Sequence, residues 1–393
     1  MSGSVGPLRG AAAIAGVGES AIGRVEGKSG VRLAIDAARA AMADAGLALG
    51  DIDGLLVTPV FVKSWPRQAN VFAEFLGVKP RWAMTYQNSG ASACSMVGTA
   101  AAAVHSGLAD VVLIATGDNE LTGLGTTGVV TELARQRDPD VEVPYGLIVP
   151  AGFAMAARRH MHEYGTTPAQ MAAVAVTMRD HARLTGRAHH SGPLSVSDVL
   201  VSPMIADPFH RLDCSLVSDG GGAVIVTSLE RARHLKKSPV PILGVGEAYT
   251  HERLSNAPSL TTFGGKLAAE RAYRMAGVGA ADIQVAGIYD CFTGVVLIEL
   301  EDFGFCKPGE SGPFVADGGI GVNGRIPVNT HGGLLSYCHP GYPGGIFHVI
   351  EVARQLRGEA SGRQVKCDLG FVNSMGGVFA TNSTVILGTE NAL

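Results

Sequence analysis

The chain contains two copies of one strand–helix–strand pattern, and this internal repeat constrains its fold more than any other feature. In the first copy an apolar run ends in GVGE at residues 16–19, and an alanine-rich helical stretch stops at Gly46 before the strand GLLVTP. In the second copy, GVGE recurs at residues 244–247, followed by KLAAERAYRMAG and the strand QVAGIYD. Matching units at this distance indicate an internal duplication. Because strands and helices alternate in each half, we expect parallel sheets covered by helices.

Composition restricts the class of protein and its partners. The 393 residues are 46% hydrophobic and 17% charged, which is typical of a globular protein large enough for two fused halves. The net charge of −4, without a basic block, argues against a nucleic-acid partner. The six cysteines include no CxxC pair, so we expect neither a metal site nor a disulfide framework. No apolar run reaches the roughly 18 residues of a membrane helix, and we expect a soluble, cytoplasmic protein.

The repeat divides the chain into two related halves separated by a helical insertion. We predict an N-terminal half over residues 1–119, a helical loop or cap insertion over 120–212, a return to the N-terminal half over 213–238, and a C-terminal half over 239–393. Within the insertion, Thr167-Pro168 and Ser197-Asp198 are suitable helix starts. We expect the insertion to cover the functional site.

A stretch of small residues, SGASACSMVGTAAAAVHSG, predicts a buried helix at the centre of the fold. Its N-terminus falls near residues 89–92, where free backbone N–H groups and the positive end of the helix dipole stabilise a developing anion. Two interpretations remain open from these residues: a helix with a purely structural role, or one whose N-terminus also lines an active site.

Four segments taken together resemble the thiolase superfamily, and specifically its sterol-carrier or lipid-transfer-protein thiolase branch. They are ARRHMHEYGTTPAQMAAVAV, RLDCSLVSDGGGAVIVTS, GIYDCFTGVVLIELEDFGFC and GGLLSYCHPGYPGG, and they occur in the family order. The resemblance extends over essentially the whole chain. It implies an α/β thiolase fold of five layers, αβαβα, built from two duplicated halves with a helical cap. It also implies a homodimer core.

The departures from the thiolase pattern concern the groups that carry thiolase chemistry. Gly90 stands where a thiolase has its nucleophilic cysteine, and Cys94 lies four residues further along. Near the C-terminus, Asn373 and Ser374 occupy the region of the second thiolase cysteine. Tyr289 replaces the histidine of the branch's His-Asp-Cys-Phe motif. Covalent acyl transfer needs a thiolate, so these departures favour a reaction without an acyl-enzyme.

This pattern is similar to that of the thiolase-like aldolases of bacterial steroid side-chain degradation. The resemblance implies retro-aldol cleavage of a β-hydroxyacyl-CoA, a 17-hydroxy steroid C-20 carboxyl-CoA, to a 17-keto steroid and propionyl-CoA. It implies acid–base roles for Tyr289 and Tyr337. We expect His339 to act beside them as an oxyanion donor that helps hold the thioester oxygen, or as an orienting group. Coenzyme A belongs to the substrate, and no bound cofactor is expected. The resemblance also implies a DUF35-type OB-fold partner, often with a zinc ribbon, in a heterotetramer.

Further residues are predicted to bind substrate, and two other functions remain open. The predicted substrate-binding residues are Gly90, Ser92, His331, Tyr342, Gly376 and Gly377. The first alternative function is a true thiolase that acts on a 3-oxoacyl-CoA and uses Cys94 as its nucleophile. The second is a non-catalytic thiolase homologue that binds acyl-CoA.

Overall fold

The computed structural model describes residues 8–393, which form eleven strands and thirteen helices. The strands are β1 (Ala12–Glu19), β2 (Gly54–Val57), β3 (Trp82–Thr85), β4 (Val111–Asn119), β5 (Met204–Ala206), β6 (Phe209–His210), β7 (Asp219–Ser228), β8 (Val240–Tyr249), β9 (Val285–Gly287), β10 (Leu369–Gly376) and β11 (Thr381–Gly388). The helices are α1 (Gly30–Ala45), α2 (Gln68–Leu76), α3 (Ser92–His105), α4 (Glu120–Gly123), α5 (Gly125–Arg135), α6 (Val149–Tyr164), α7 (Pro168–Thr185), α8 (Val196–Val201), α9 (Leu229–Ala232), α10 (Gly264–Ala276), α11 (Thr293–Asp302), α12 (Ser311–Ala316) and α13 (Gly345–Leu356).

The two halves of the chain build two adjacent sheets that meet at one short junction. In the first half the strand order is β3-β2-β4-β7-β1, and in the second half it is β8-β11-β10-β9. The sheets join where β1 pairs with β8 through Ala13–Pro241 and Ile14–Val240. Each copy of the repeat therefore contributes its own sheet.

Both sheets are mixed, which corrects the expectation of parallel sheets. β2 runs parallel to β3 and β4, and β9 runs parallel to β10. β7 is antiparallel to both of its neighbours, and β11 is antiparallel to both of its own. Residues 377–380 alone connect β10 to β11. So short a connection permits only antiparallel neighbours, because a parallel crossover needs a dozen or more residues.

Helices pack on both faces of each sheet and produce five layers. α1 covers the outer face of the first sheet, and α10 covers the outer face of the second. α3 and α13 lie between the sheets, pack against each other, and contact strands of both. The order helix, sheet, helix, sheet, helix is the αβαβα arrangement that the resemblance predicted.

The two GVGE segments show why the repeat contains glycine. A methyl group on Gly18 would overlap the carbonyl oxygen of Ala37 in α1, and one on Gly246 would overlap the carbonyl oxygen of Ala268 in α10. Glycine on the strand, facing alanine-rich helix, lets each helix lie directly on its sheet. The same close contact occurs in both halves, as expected for a duplicated unit.

Three predicted helix ends can be compared with the structure. α1 ends at Ala45, and Gly46 forms its left-handed C-cap with a φ of 74°. α7 begins after Thr167, whose hydroxyl caps the helix, so both of these predictions are confirmed. α8 begins after Ser195, two residues before the predicted start. The Asp198 carboxylate instead accepts a hydrogen bond from the Ser195 backbone N–H and completes a capping box.

The segment between β4 and β7 contains α4 to α8 and the two-stranded ribbon of β5 and β6. Its helices α6 and α7 pack against α11 of the second half. The segment therefore lies over the site region while remaining anchored to the C-terminal half. Within residues 8–393, no helix combines the length and the apolar character needed to cross a membrane.

Candidate active site

A cavity of about 550 Å³ lies between the helical segment and loops from both halves. Its volume is within the ~300–1,000 Å³ range of small-molecule sites. α5 and α6 supply one side, and the loops after β9, before α13 and between β10 and β11 supply the other. The predicted site residues that line it are Gly90, Tyr289, His339, Tyr342, Gly376 and Gly377.

A chain of hydrogen bonds links three side chains on the polar side of this cavity. The Tyr289 hydroxyl lies 3.2 Å from His339 Nε2, and His339 Nδ1 lies 2.9 Å from Ser215 Oγ. When Nδ1 carries the ring hydrogen, it donates to Ser215, and Nε2 is left to accept from the Tyr289 hydroxyl. The arrangement can pass a proton between the cavity and the imidazole.

The buried imidazole and phenol are both uncharged at neutral pH. Burial lowers the pKa of His339 to about 4, because the charged imidazolium would lose its solvation. Burial also raises the pKa of Tyr289 well above its usual value, and the nearby Cys291 and Glu120 add to this effect. Tyr289 is therefore a proton donor that becomes a phenolate only in concert with proton transfer at its hydroxyl.

Glu120 is a cavity residue that the sequence did not single out. It begins α4 directly after β4, lines the cavity with Tyr289 and His339, and is 3% exposed. Burial raises its pKa well above the usual value, with a further contribution from the like charges of Asp118 and Asp219. The sequence feature that could have indicated Glu120 is its position directly after the apolar strand VVLIATGDN. Ser215 was also missed, although it lies in one of the quoted family segments.

A large apolar surface lines the cavity beside the charged side chains of Arg137, Arg211 and Glu252. It is formed by side chains of α5 and α6, together with Ile205, Leu216 and Phe292. The α5 and α6 side chains are Val129, Val130, Leu133, Val149, Pro150 and Phe153. An apolar side opposite a few convergent polar groups is typical of a site that binds a large hydrophobic ligand and fixes its reactive end.

The glycines of the cavity floor leave no space for a nucleophile at position 90. A methyl group on Gly90 would overlap the Tyr289 hydroxyl and the Met375 carbonyl oxygen. A methyl group on Gly376 would overlap the Asn88 carbonyl oxygen. Tyr289 therefore occupies the space that a side chain at position 90 would need, which excludes a cysteine there without displacement of the phenol.

Tyr342 lines the cavity, but its hydroxyl is engaged elsewhere. The hydroxyl donates to Gln136 Oε1 at 3.0 Å, and the ring meets Phe61 edge-on with centroids 5.5 Å apart. Gln136 follows the last residue of α5. Tyr342 thus connects the loop that carries His339 to the helix on the apolar side.

Tyr337, predicted to take part in proton transfer, does not line the cavity. Its ring is 1% exposed, and its hydroxyl donates to Glu19 Oε2 at 2.8 Å. The Glu19 carboxylate also forms ion pairs with Arg187 and Arg354. Tyr337 ends a π-helical turn, and His339 lies two residues beyond it. The hydroxyl of Tyr337 is therefore committed to a buried ion cluster.

Two predicted substrate-binding residues also lie away from the cavity. Ser92 is fully buried, and its hydroxyl donates to the Ser89 carbonyl while accepting from the Asn88 N–H. It therefore shapes the turn before α3. His331 is 2% exposed, and its ring packs against those of Tyr337 and His348 at centroid distances of 5.0 and 5.3 Å. Neither of these two predicted substrate-binding side chains lines the cavity.

None of the thiols near the site has the surroundings of a nucleophile. Cys94 is fully buried in the core outside the cavity, beside Ser374 Oγ at 3.2 Å, and burial raises its pKa to about 12. Cys214 and Cys291 do line the cavity. Burial raises the pKa of Cys214 to about 12 and that of Cys291 well above its usual value. Reactive cysteines have lowered pKa values, so the thiolase alternative has no activated thiol in this structure.

Comparison with known proteins assigns the family. The family described as "Thiolase C-terminal domain-like" matches residues 246–389. The chain is 38% identical over 370 residues to 17-hydroxy-3-oxo-4-pregnene-20-carboxyl-CoA lyase of Mycobacterium tuberculosis, covering 89% of this chain and 92% of that protein. The chain belongs to the thiolase superfamily.

Two further thiolase-superfamily relatives share almost the full length of the chain. The steroid side-chain-cleaving aldolase of Thermomonospora curvata is 36% identical over 409 residues, covering 98% of this chain and 99% of that protein. The solved structure of an Ltp2-ChsH2(DUF35) aldolase aligns with a TM-score of 0.87 and 35% identity, covering 98% of this chain and 99% of that chain. The expected relationship to thiolase-like aldolases is confirmed.

Proposed function

We propose that this protein is a carbon–carbon lyase that cleaves a β-hydroxyacyl-CoA by a retro-aldol reaction. The observation that carries the proposal is the Tyr289–His339–Ser215 hydrogen-bond chain, which opens onto a cavity whose thiolase nucleophile position is Gly90. Coenzyme A enters with the substrate, and the reaction needs no bound cofactor. The names of the lyase and aldolase relatives support this chemistry.

The proposed reaction requires two proton transfers and a stabilised enolate. A base removes the proton of the β-hydroxyl group, the bond between Cα and Cβ breaks, and a carbonyl forms at Cβ. The released electron pair moves into the thioester as an enolate, which is then protonated at Cα. Tyr289 and His339 are the proposed acid–base pair for the hydroxyl end, since a buried phenol beside a neutral imidazole can relay a proton.

The proposed substrate is a 17-hydroxy steroid C-20 carboxyl-CoA, and the products are a 17-keto steroid and propionyl-CoA. The apolar side formed by α5 and α6 supports a large hydrophobic acyl group. The name of the M. tuberculosis relative points to the same class of substrate. Gly90, Gly376 and Gly377 provide close backbone approach to the thioester, and Tyr342 borders the bound acyl group.

The test is incubation of the purified protein, alone and with a candidate partner, with β-hydroxyacyl-CoA and β-ketoacyl-CoA substrates, with products identified by mass spectrometry. We expect a ketone and propionyl-CoA from the hydroxy substrate without added coenzyme A. Cleavage of the keto substrate that depends on free coenzyme A would establish a thiolase instead. Binding of both thioesters without turnover would establish a non-catalytic homologue.

We also propose that the chain acts with a DUF35-type OB-fold protein, in a heterotetramer around a homodimer core. The name of the aligned solved structure supports the DUF35 partner. Strand β3 supports the homodimer, because it forms the edge of its sheet and residues 83–85 are exposed. Two identical free edges can pair about a two-fold axis. Light scattering should give a dimer for this chain and a monomer for Ala83→Pro; an unchanged dimer in that variant would exclude β3.

A further inference from the structure

We propose that Glu120 is the second acid–base group of the reaction and donates the proton that converts the thioester enolate into the product acyl-CoA. This inference rests on the proposed retro-aldol function. That function needs one group at the β-hydroxyl and another at Cα, and the Tyr337 hydroxyl contacts Glu19 outside the cavity.

The position of Glu120 fits this role. Its side chain lines the same cavity as Tyr289 and His339 and is 3% exposed. A methyl group on Gly341 would overlap the Glu120 carboxyl group, so that group lies against the backbone two residues beyond His339. The elements that hold Tyr289, His339 and Glu120 thus meet around one cavity, although the three residues are far apart in sequence.

The hydrogen bonds around Glu120 distinguish it from its acidic neighbours. Asp118 accepts from the N–H groups of residues 61, 62 and 119, and Asp219 accepts from those of Val25 and Thr122. Within residues 8–393, the influences on the Glu120 carboxyl group are burial and the charges of Asp118 and Asp219, and neither a hydrogen-bond donor nor a cation is among them. Asp118 and Asp219 are therefore committed to holding loops, whereas Glu120 is free to meet a ligand.

The electrostatic surroundings of Glu120 favour its protonated form. Burial raises its pKa well above the usual value, and the charges of Asp118 and Asp219 raise it further. The other titratable groups that line the cavity are Tyr289, Tyr342, His339, Cys214, Cys291, Glu252, Arg137 and Arg211. Burial raises the pKa of the two tyrosines and lowers that of His339. An uncharged, buried carboxylic acid is a proton donor suited to an enolate carbon.

The proton transfers balance without a further reactant. Tyr289 takes the β-hydroxyl proton as it passes its own proton to His339 Nε2. The bond between Cα and Cβ breaks, its electron pair forms the thioester enolate, and the Glu120 proton goes to Cα. The cavity then holds an imidazolium and a carboxylate of opposite charge. Both return to the neutral form when proton exchange with water follows product release.

The experiment compares the wild type with Glu120→Gln and with the control Glu299→Gln. Glu299 is matched to Glu120 because it is 1% exposed and its pKa is raised by burial. It does not line the cavity. Glutamine has the shape of the protonated acid, so both variants should fold, and circular dichroism melts check this.

Two quantities are measured. The first is the rate of cleavage of the β-hydroxyacyl-CoA. The second is the rate of deuterium incorporation at Cα of propionyl-CoA in D₂O, which mass spectrometry detects. Glu120→Gln should lower both rates by about 100-fold through kcat, while Glu299→Gln retains both. Deuterium exchange tests the Cα step alone and does not require the steroid. If Glu120 had only a structural role, its substitution would not abolish deuterium exchange at Cα while leaving the KM for the β-hydroxyacyl-CoA unchanged.

The outcomes separate this inference from the proposed function. If the wild type cleaves substrate and Glu120→Gln stays within about threefold of it in both readouts, the role of Glu120 is excluded and the lyase function stands. If the wild type neither cleaves nor exchanges, the lyase function and the role of Glu120 are both excluded. An equal loss in Glu120→Gln and Glu299→Gln would exclude a specific role for Glu120.

Discussion

Tyr289 and Tyr337 are buried phenols with contrasting surroundings. The Tyr289 hydroxyl faces a cavity and lies 3.2 Å from the neutral imidazole of His339. The Tyr337 hydroxyl donates to the Glu19 carboxylate in a cluster with two arginines. Burial raises the pKa of both phenols, so a raised pKa alone does not identify the reactive one. The hydrogen-bond partner and access to the cavity make the difference.

The largest effect that separates the two tyrosines is expected from Tyr289→Phe. Loss of the hydroxyl breaks the proton relay to His339, and an acid–base group typically contributes 10²- to 10⁴-fold to rate. We expect cleavage to fall by about 100-fold or more, with little change in melting temperature. Steady-state kinetics with the β-hydroxyacyl-CoA measures this. Near-normal cleavage by a folded Tyr289→Phe protein would contradict the assignment.

Tyr337→Phe should show the opposite behaviour. The substitution removes a hydrogen bond to a buried carboxylate, while Arg187 and Arg354 still compensate the charge of Glu19. We expect the free energy of unfolding to fall by about 1.5 kcal/mol and cleavage to stay close to normal. Denaturant titration and the same kinetic assay measure the two quantities. A large loss of kcat with unchanged stability would show that Tyr337 takes part in the reaction.

Ser215→Ala tests how the imidazole of the active pair is held. Ser215 Oγ lies 2.9 Å from His339 Nδ1 and acts on the reaction through the imidazole ring. One such hydrogen bond is worth about 1 kcal/mol, so we expect at most about a tenfold drop in kcat. Ser215→Thr, which keeps the hydroxyl, should recover part of the rate. Equal losses in both variants would indicate a packing effect.

The smallest effect is expected from acidification between pH 7 and 5.5. The pKa of His339 is lowered to about 4, so its ring stays neutral in this window and still accepts a proton. An unfolded histidine titrates near 6.5, so the contribution of His339 to stability, not its competence in the relay, should decline as the pH falls from about 6.5 towards 4. NMR titration of the ring protons, assigned by their loss in His339→Gln, checks this. A His339 signal titrating near 6.5 would contradict it.

The fold could be predicted from the sequence because the repeated residues are those that form the close contact between a helix and its strand. Glycine in GVGE and alanine in the following helix let α1 and α10 lie directly on their strands, and both copies of the repeat retain these residues. Strand direction was less predictable. β7 returns antiparallel after the long segment that starts at Glu120, and no local pattern determines the direction of such a return.

The site was only partly predictable, because motifs locate a loop but do not orient its side chains. The family motifs located Tyr289 and His339, which meet at the cavity. Tyr337 lies two residues from His339, yet the π-helical turn that it ends leaves its hydroxyl at Glu19. Glu120 was missed because its importance depends on contact with the His339 loop more than 200 residues away.

The direct seating of helix on strand has a consequence for how the molecule opens. At Gly18 and Gly246 only a hydrogen atom separates strand from helix, so neither helix can shift without breaking contact along its strand. Local opening should instead begin in the segment around α5, where Val129 is the only buried residue of the helix. Amide hydrogens of β1 and β8 should therefore exchange last, and those of α5 should exchange early. The same local opening around α5 would let a bulky acyl chain enter the cavity.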